Sequence, residues 1–231
     1  GYDAMGRVNR ITYPSESQAD VCNQDNWLET TITFAPSSEA KYGLPANHWR
    51  RTEHSGNAYK ITFYDASWRP VVQETYDISN TGNTLSQAVT RYDANGQVIY
   101  ASYPQRNMLP AVYNTWADPA QIPNALGTWT TYDALGRPTQ VQQNSELGLL
   151  TTTTEYLSAF QTRTTNPRGY QTVTQYQAFD QPTTSAPNGI TAFAGADTMA
   201  TEIHRDIFGK PTLIKRRDQA GTLFVDRRYV Y

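Results

Sequence analysis

The sequence predicts an all-β fold of antiparallel β-hairpin repeats. Two observations carry that reading. A turn unit recurs along the chain, nearly letter for letter in Gly1-Tyr-Asp-Ala-Met-Gly-Arg-Val8, Arg91-Tyr-Asp-Ala-Asn-Gly-Gln-Val98 and Thr131-Tyr-Asp-Ala-Leu-Gly-Arg-Pro138. The segments between turns are rich in threonine (about 30) and tyrosine (16), strand formers suited to a half-covered sheet.

The turn chemistry is specific. An Asp or Asn at the first position folds its side chain onto amides further along, and a Gly at the fourth takes the positive φ that closes a bulged hairpin. The pairs are Asp3 and Gly6, Asp93 and Gly96, Asp133 and Gly136, Asn166 and Gly169, Asp206 and Gly209, and Asp218 and Gly221, with Asn124 and Gly127 as a further candidate. Pro167 stands where its fixed φ suits a type I turn. Other turns are expected at His54–Asn57, Ser79–Gly82, Asn144–Gly148 and Pro187–Gly189. From about Asn124 the turns fall roughly every 9 to 12 residues, the spacing of a meander of short strands. Between them, Tyr170–Tyr176 alternates, while Leu149–Tyr156 and Thr222–Tyr231 read as strands. No long amphipathic helix is predicted.

Two copies are degenerate. Asp180 replaces the glycine in Tyr176–Pro182, and Trp68 replaces it in Tyr64-Asp-Ala-Ser-Trp-Arg-Pro70. A bulky residue tolerates left-handed backbone poorly, so the loop at Trp68 is expected to depart from the common turn. Irregular insertions are expected at about 14–53, with one strand at Thr30–Phe34, and at about 104–123, where four prolines fall. Ser15 and Gln18 offer a weak capping box. Neither stretch marks a domain boundary, so residues 1–231 read as one repeat segment, an excerpt of a longer chain.

The formal charge of −2 leaves no footprint for nucleic acid or an anionic membrane, and no apolar run is long enough to span a bilayer. A single cysteine, Cys22, excludes an internal disulfide framework.

Tyr-Asp-Ala-x-Gly-Arg repeated among Thr-rich strands resembles the RHS-repeat or YD-repeat family. The likeness is carried by 2–8, 92–98 and 132–138, and more weakly by 64–70, 176–182 and 205–211. It implies that these hairpins form part of a spiralling, curved β-sheet shell that is hollow, as in bacterial polymorphic toxins, the cocoon subunits of Tc toxins, and teneurins. In the toxins such a shell encloses a C-terminal effector released by an aspartyl self-protease. Asp118-Pro-Ala-Gln121 lacks that protease's glycine and has no partner motif, so the protease is not carried over. The implied partners are neighbouring YD repeats of the same polypeptide and an enclosed toxin or effector. The implied setting is secreted or at a bacterial cell surface.

Sharper readings fit the residues less well. His48, His54 and His204 do not have zinc spacing, and Asp93-Ala-Asn95-Gly96 lacks the further ligands of a calcium loop. One Asp per repeat, always ahead of x-x-Gly, fits turn closure better than acid–base chemistry. There is no Gly-x-Ser-x-Gly, and Cys22 has no local nucleophile signature, so no catalytic residue, metal or cofactor is expected. Lys215-Arg-Arg217 and Arg227-Arg228 read as a solvated face with Asp218 and Asp226 as partners, or as a contact for an acidic cargo. Among Trp27, Trp49, Trp68, Trp116 and Trp129, the pair Trp49 and Trp116 falls in irregular stretches and could stack on sugar rings. A carbohydrate-binding or adhesion module is therefore the rival reading, and a repeat-built hydrolase a third.

Overall fold

The structure, a computed structural model, describes residues 1–14, 28–106, 126–157, 160–177 and 186–231. Trp27, Trp116, Cys22, Asp118, Asn124, Asp180 and the Ser15/Gln18 pair lie outside these residues. The chain divides into two compact units, Gly1–Thr128 and Trp129–Tyr231. Both are antiparallel β-structure.

In the first unit, β1 (Arg10–Ile11), β2 (Thr30–Pro36), β3 (Trp49–Ser55), β4 (Ala58–Tyr64), β5 (Pro70–Asp77) and β6 (Ser86–Tyr92) pair in chain order. β7 (Val98–Ser102) and β8 (Gln105–Arg106) pair with different parts of β6. A 3-10 turn at Ile78–Asn80 and a one-turn helix, α1 (Thr81–Thr84), join β5 to β6. The stretch read as a turn at Ser79–Gly82 is thus helical: Asp77 accepts the Ser79 amide at 2.8 Å and caps it.

β9 (Gly127–Tyr132) contains the boundary between the units. In the second unit β9 pairs with β10 (Pro138–Ser145). There follow β11 (Gly148–Leu157), β12 (Gln161–Thr165), β13 (Gln171–Tyr176), β14 (Pro187–Ala194), β15 (Asp197–Arg205), β16 (Pro211–Asp218) and β17 (Leu223–Arg228), each paired with its predecessor.

The units differ in how they bury side chains. Ile61, Phe63, Val72, Val89 and Tyr100 are buried in the first. Phe63 faces Val72, which faces Val89, across β4, β5 and β6, so one apolar row crosses three strands. The loop 37–48 covers it: Tyr42 and Gly43 both have positive φ (55° and 73°), the primed-turn geometry that closes a two-residue reversal between Lys41 and Leu44. In the second unit no described apolar residue is fully buried. Its strands are held instead by backbone ladders and cross-strand pairs such as Thr154–Thr164–Thr172 and Thr162–Thr174, each pair contributing about 0.2–1 kcal/mol.

Four further sequence expectations are corrected. Trp49 does not lie in an irregular stretch but opens β3, and the described part of 14–53 supplies β2 and most of β3. Pro187-Asn-Gly189 is strand, not turn: it opens β14, and Asn188 forms a bulge opposite Gln175 and Tyr176. Gly127 opens β9, where a Cβ would stand 2.4 Å from the Ala101 carbonyl oxygen, so close approach rather than turn closure selects glycine there.

The fourth concerns Trp68, whose loop does not depart from the common turn. Its φ is +63°, its amide donates to the Asp65 carbonyl at 3.0 Å, and Asp65 closes on Arg69 as in the glycine copies. The reason is packing: Trp68 stacks on Phe34 and Trp49, with ring centroids 5.5 and 5.3 Å away. Left-handed backbone costs a non-glycine residue about 1 kcal/mol; two aromatic pairs return about 0.5–1.5 kcal/mol each. Trp68→Gly is therefore expected to destabilise despite relieving the backbone. Trp68→Ala, which keeps the strain and loses the rings, is expected to cost about 1 kcal/mol more than Trp68→Gly in urea unfolding.

Candidate functional site

The recurring feature of the chain is its hairpin closure. At Asp3, Asp65, Asp93, Asp133, Asn166, Asp206 and Asp218 the first residue's amide donates to the carbonyl four residues on, at 2.8–3.1 Å. The fourth residue's amide returns to the first carbonyl at 2.9–3.1 Å. Gly6, Gly96, Gly136, Gly169, Gly209 and Gly221 take φ between 77° and 82°. In all but the Asp218 copy the Asp or Asn Oδ1 accepts two amides, as at Asp133, which takes Leu135 and Arg137 at 2.9 Å each. Arg7, Arg69 and Arg137 add a charge-assisted bond from Nε to the second carboxylate oxygen at 2.7–2.8 Å.

These bonds favour the ionised acid. The Arg7 amide, joined by its guanidinium, holds the Asp3 carboxyl below the usual carboxylate range, and Arg137 does the same for Asp133. A carboxyl depressed by folding stabilises above its unfolded pKa, and the contribution disappears as pH falls through the folded value. Loss therefore belongs below about pH 4. Asp133→Asn keeps the acceptor that Asn166 uses, with Arg168 and Tyr170 at 3.0 Å, but cannot titrate. The expected result is a shallower fall of stability between pH 4 and pH 2.5, read from urea midpoints.

A second device repeats with the turn. Tyr92 donates its hydroxyl to the Pro70 carbonyl at 3.0 Å while the Arg69 guanidinium lies 4.7 Å over its ring. Tyr156 does the same with Pro138 at 3.1 Å under Arg137, and Tyr231 with Pro211 at 3.0 Å under Lys210. Each turn is thereby clamped to an aromatic side chain about 20 residues further on, by one hydrogen bond and a cation–π contact of about 0.5–1 kcal/mol. Arg205, at the tyrosine position of its copy, reaches the Pro187 carbonyl with its guanidinium at 3.0 Å. A basic residue followed by proline at 69–70, 137–138 and 210–211 is the sequence signal for this clamp.

The proposed stacking tryptophans separate. Trp116 lies outside the described residues. Trp49 is part-buried against Phe34 at 5.0 Å and Trp68 at 5.3 Å, so Trp68, 56% exposed, presents the cluster outward. Each histidine has its own neighbour: His48 is buried against Phe63, His54 stacks on Tyr59, and His204 pairs with Glu202 at 2.8 Å. Among the described residues no group of three His, Cys, Asp or Glu is placed to hold a metal, and no helix is long and apolar enough to cross a membrane. In the basic strands Arg228 reaches Asp226 at 3.6 Å.

A buried polar network had no counterpart in the sequence reading. Glu74, 2% exposed on β5, accepts Lys41 Nζ at 3.0 and 3.1 Å and the Tyr42 hydroxyl. Gln87 Nε2 donates to the Tyr42 oxygen at 2.7 Å. The Lys41 ammonium also lies 4.7 Å over the Tyr42 ring and 5.1 Å over Phe63. This network is what seats loop 37–48 on the sheet.

No family model and no curated protein matches the chain. Among solved structures it is similar to a chain in the crystal structure of TcdB2-TccC3-Cdc42, at 12% identity and a TM-score of 0.32. That likeness covers 100% of this chain and 14% of the other, so this chain spans a small part of its length.

Proposed function

We propose that this chain is a length of RHS/YD-repeat wall, a structural scaffold that helps enclose a toxin or effector for delivery and has no catalytic residue of its own. The observation that supports this reading is the recurrence of one hairpin closure at seven described positions, from Asp3 to Asp218, with the same amide and carbonyl partners. A chain that spends its sequence on repeating one turn is built to extend a sheet, and each hairpin needs its neighbour because it buries too little apolar surface alone. The Thr pairs of β11 to β13 give a polar, uncharged face suited to holding a folded cargo without adhering to it. In this reading the wall's partners are further repeats of the same polypeptide and the enclosed effector, and the setting is secreted or at the surface of a bacterial cell.

Electron microscopy of the full polypeptide, paired with limited proteolysis of its C-terminal region, tests the proposal. A hollow particle whose C-terminal region resists protease until the wall is opened is the expected result. A solid or open particle with that region cleaved at the rate of free protein would overturn it.

The second reading, a carbohydrate-binding or adhesion module, is favoured by one observation, the outward Trp68 ring backed by Trp49 and Phe34. Glycan-array binding lost in Trp68→Ala would support it.

A further inference from the structure

The second unit contains a groove of about 610 Å³ at one end of β14, β15 and β16. Ala192 lies opposite Met199, Ala194 opposite Asp197, and Met199 opposite Asp218, so these side chains share one face of the sheet. Phe224 closes the groove from β17, and neither Lys nor Arg lines it. Met199 and Phe224 are 47% and 60% exposed beside two carboxylates. Asp218 gives one oxygen to the Thr222 amide, at 2.8 Å.

The same chain shows what covers such a surface. In the first unit a carboxylate among apolar side chains, Glu74 beside Phe63, is capped by adjacent residues Lys41 and Tyr42 at a loop tip. The ammonium meets the carboxylate and the ring meets the apolar wall. The groove in the second unit presents that chemistry without the cap.

We propose that this groove docks a loop of a partner protein in which a lysine or arginine adjoins an aromatic residue. The cation would pair with Asp197 and Asp218. The ring would lie on Met199 and Phe224, where sulfur–aromatic and aromatic–aromatic contacts are favourable. Apolar surface supplies the affinity and the paired carboxylates select the sign of the charge. The inference is independent of the shell reading: it requires a partner loop, wherever the face lies in a larger assembly.

The probe is a cyclised peptide copying Ala40–Pro45, which contains the Lys41-Tyr42-Gly43 tip. It is titrated into the full chain labelled with ¹³C at its three methionine methyls. The Met199 methyl is expected to shift saturably while Met5 stays in place. A Lys41→Glu version of the peptide is expected to bind at least about tenfold more weakly, as is the wild-type peptide to the Asp197→Asn/Asp218→Asn chain. Asn at 218 preserves the turn acceptor, as Asn166 does, so a folded variant isolates the charge. A Met199 resonance unmoved at millimolar peptide, or moved equally by the Lys41→Glu peptide, would overturn the proposal.

Discussion

Phe63→Ala is expected to destabilise the first unit by about 3–5 kcal/mol, the range for truncating a fully buried aromatic ring. Phe63 is 1% exposed and central to the Phe63–Val72–Val89 row that crosses three strands. Its ring also meets that of Tyr42 in a T-shaped pair at 5.4 Å and lies 5.6 Å from His48, so truncation removes the seat of loop 37–48 as well as filling atoms. Urea unfolding followed by a probe in the first unit should show the whole loss, and amides of 37–48 should exchange faster in the variant. Ile207→Ala, at a turn residue 87% exposed, is the control and should stay within about 0.5 kcal/mol of wild type.

Glu74→Ala is expected to cost roughly 2–4 kcal/mol, somewhat less than a fully enclosed ion pair because Lys41 keeps part of its hydration. The Lys41 side chain is 37% exposed and that of Glu74 3% exposed. Removing the carboxylate leaves the Tyr42 hydroxyl and Lys41 ammonium without the acceptor that orders them. Lys41→Ala should cost a comparable amount, since it strands the buried charge instead. The double replacement Lys41→Met/Glu74→Leu should recover much of either loss, because an apolar pair of similar volume carries no desolvation penalty. Chemical denaturation of all three variants checks this; a double variant no more stable than either single variant would contradict it.

Local chemistry was legible and long-range chemistry was not. Asp133-Ala-Leu-Gly136 announces its turn because every participating group lies within five residues, and Thr-rich alternation announces its strands. At Trp68 the local rule pointed the wrong way. The rings that hold it in left-handed backbone, Phe34 and Trp49, come from strands that the sequence brings close only through the β2–β3–β4 ladder. Pro187-Asn-Gly189 misled for the same reason: it has turn residues, but pairing with β13 absorbs them as a bulge. The Lys41–Glu74 pair spans 33 residues and has no motif, and neither partner is unusual until the loop folds back. The candidate tryptophans were chosen for lying in irregular stretches, and Trp49 turned out to begin a strand, with Trp68 the more exposed of the two.

Backbone amide exchange on the full chain tests the central claim, that one side-chain-closed reversal shapes the seven hairpins from Asp3 to Asp218 whether glycine or tryptophan fills its fourth position. The amides of Trp68, Gly96, Gly136, Gly169 and Gly209, and of the residue following each, should be protected, while those of Ala66, Ala94, Ala134 and Ile207 exchange quickly. Equal, rapid exchange at Trp68 and Arg69 alongside slow exchange at the glycine turns would contradict it.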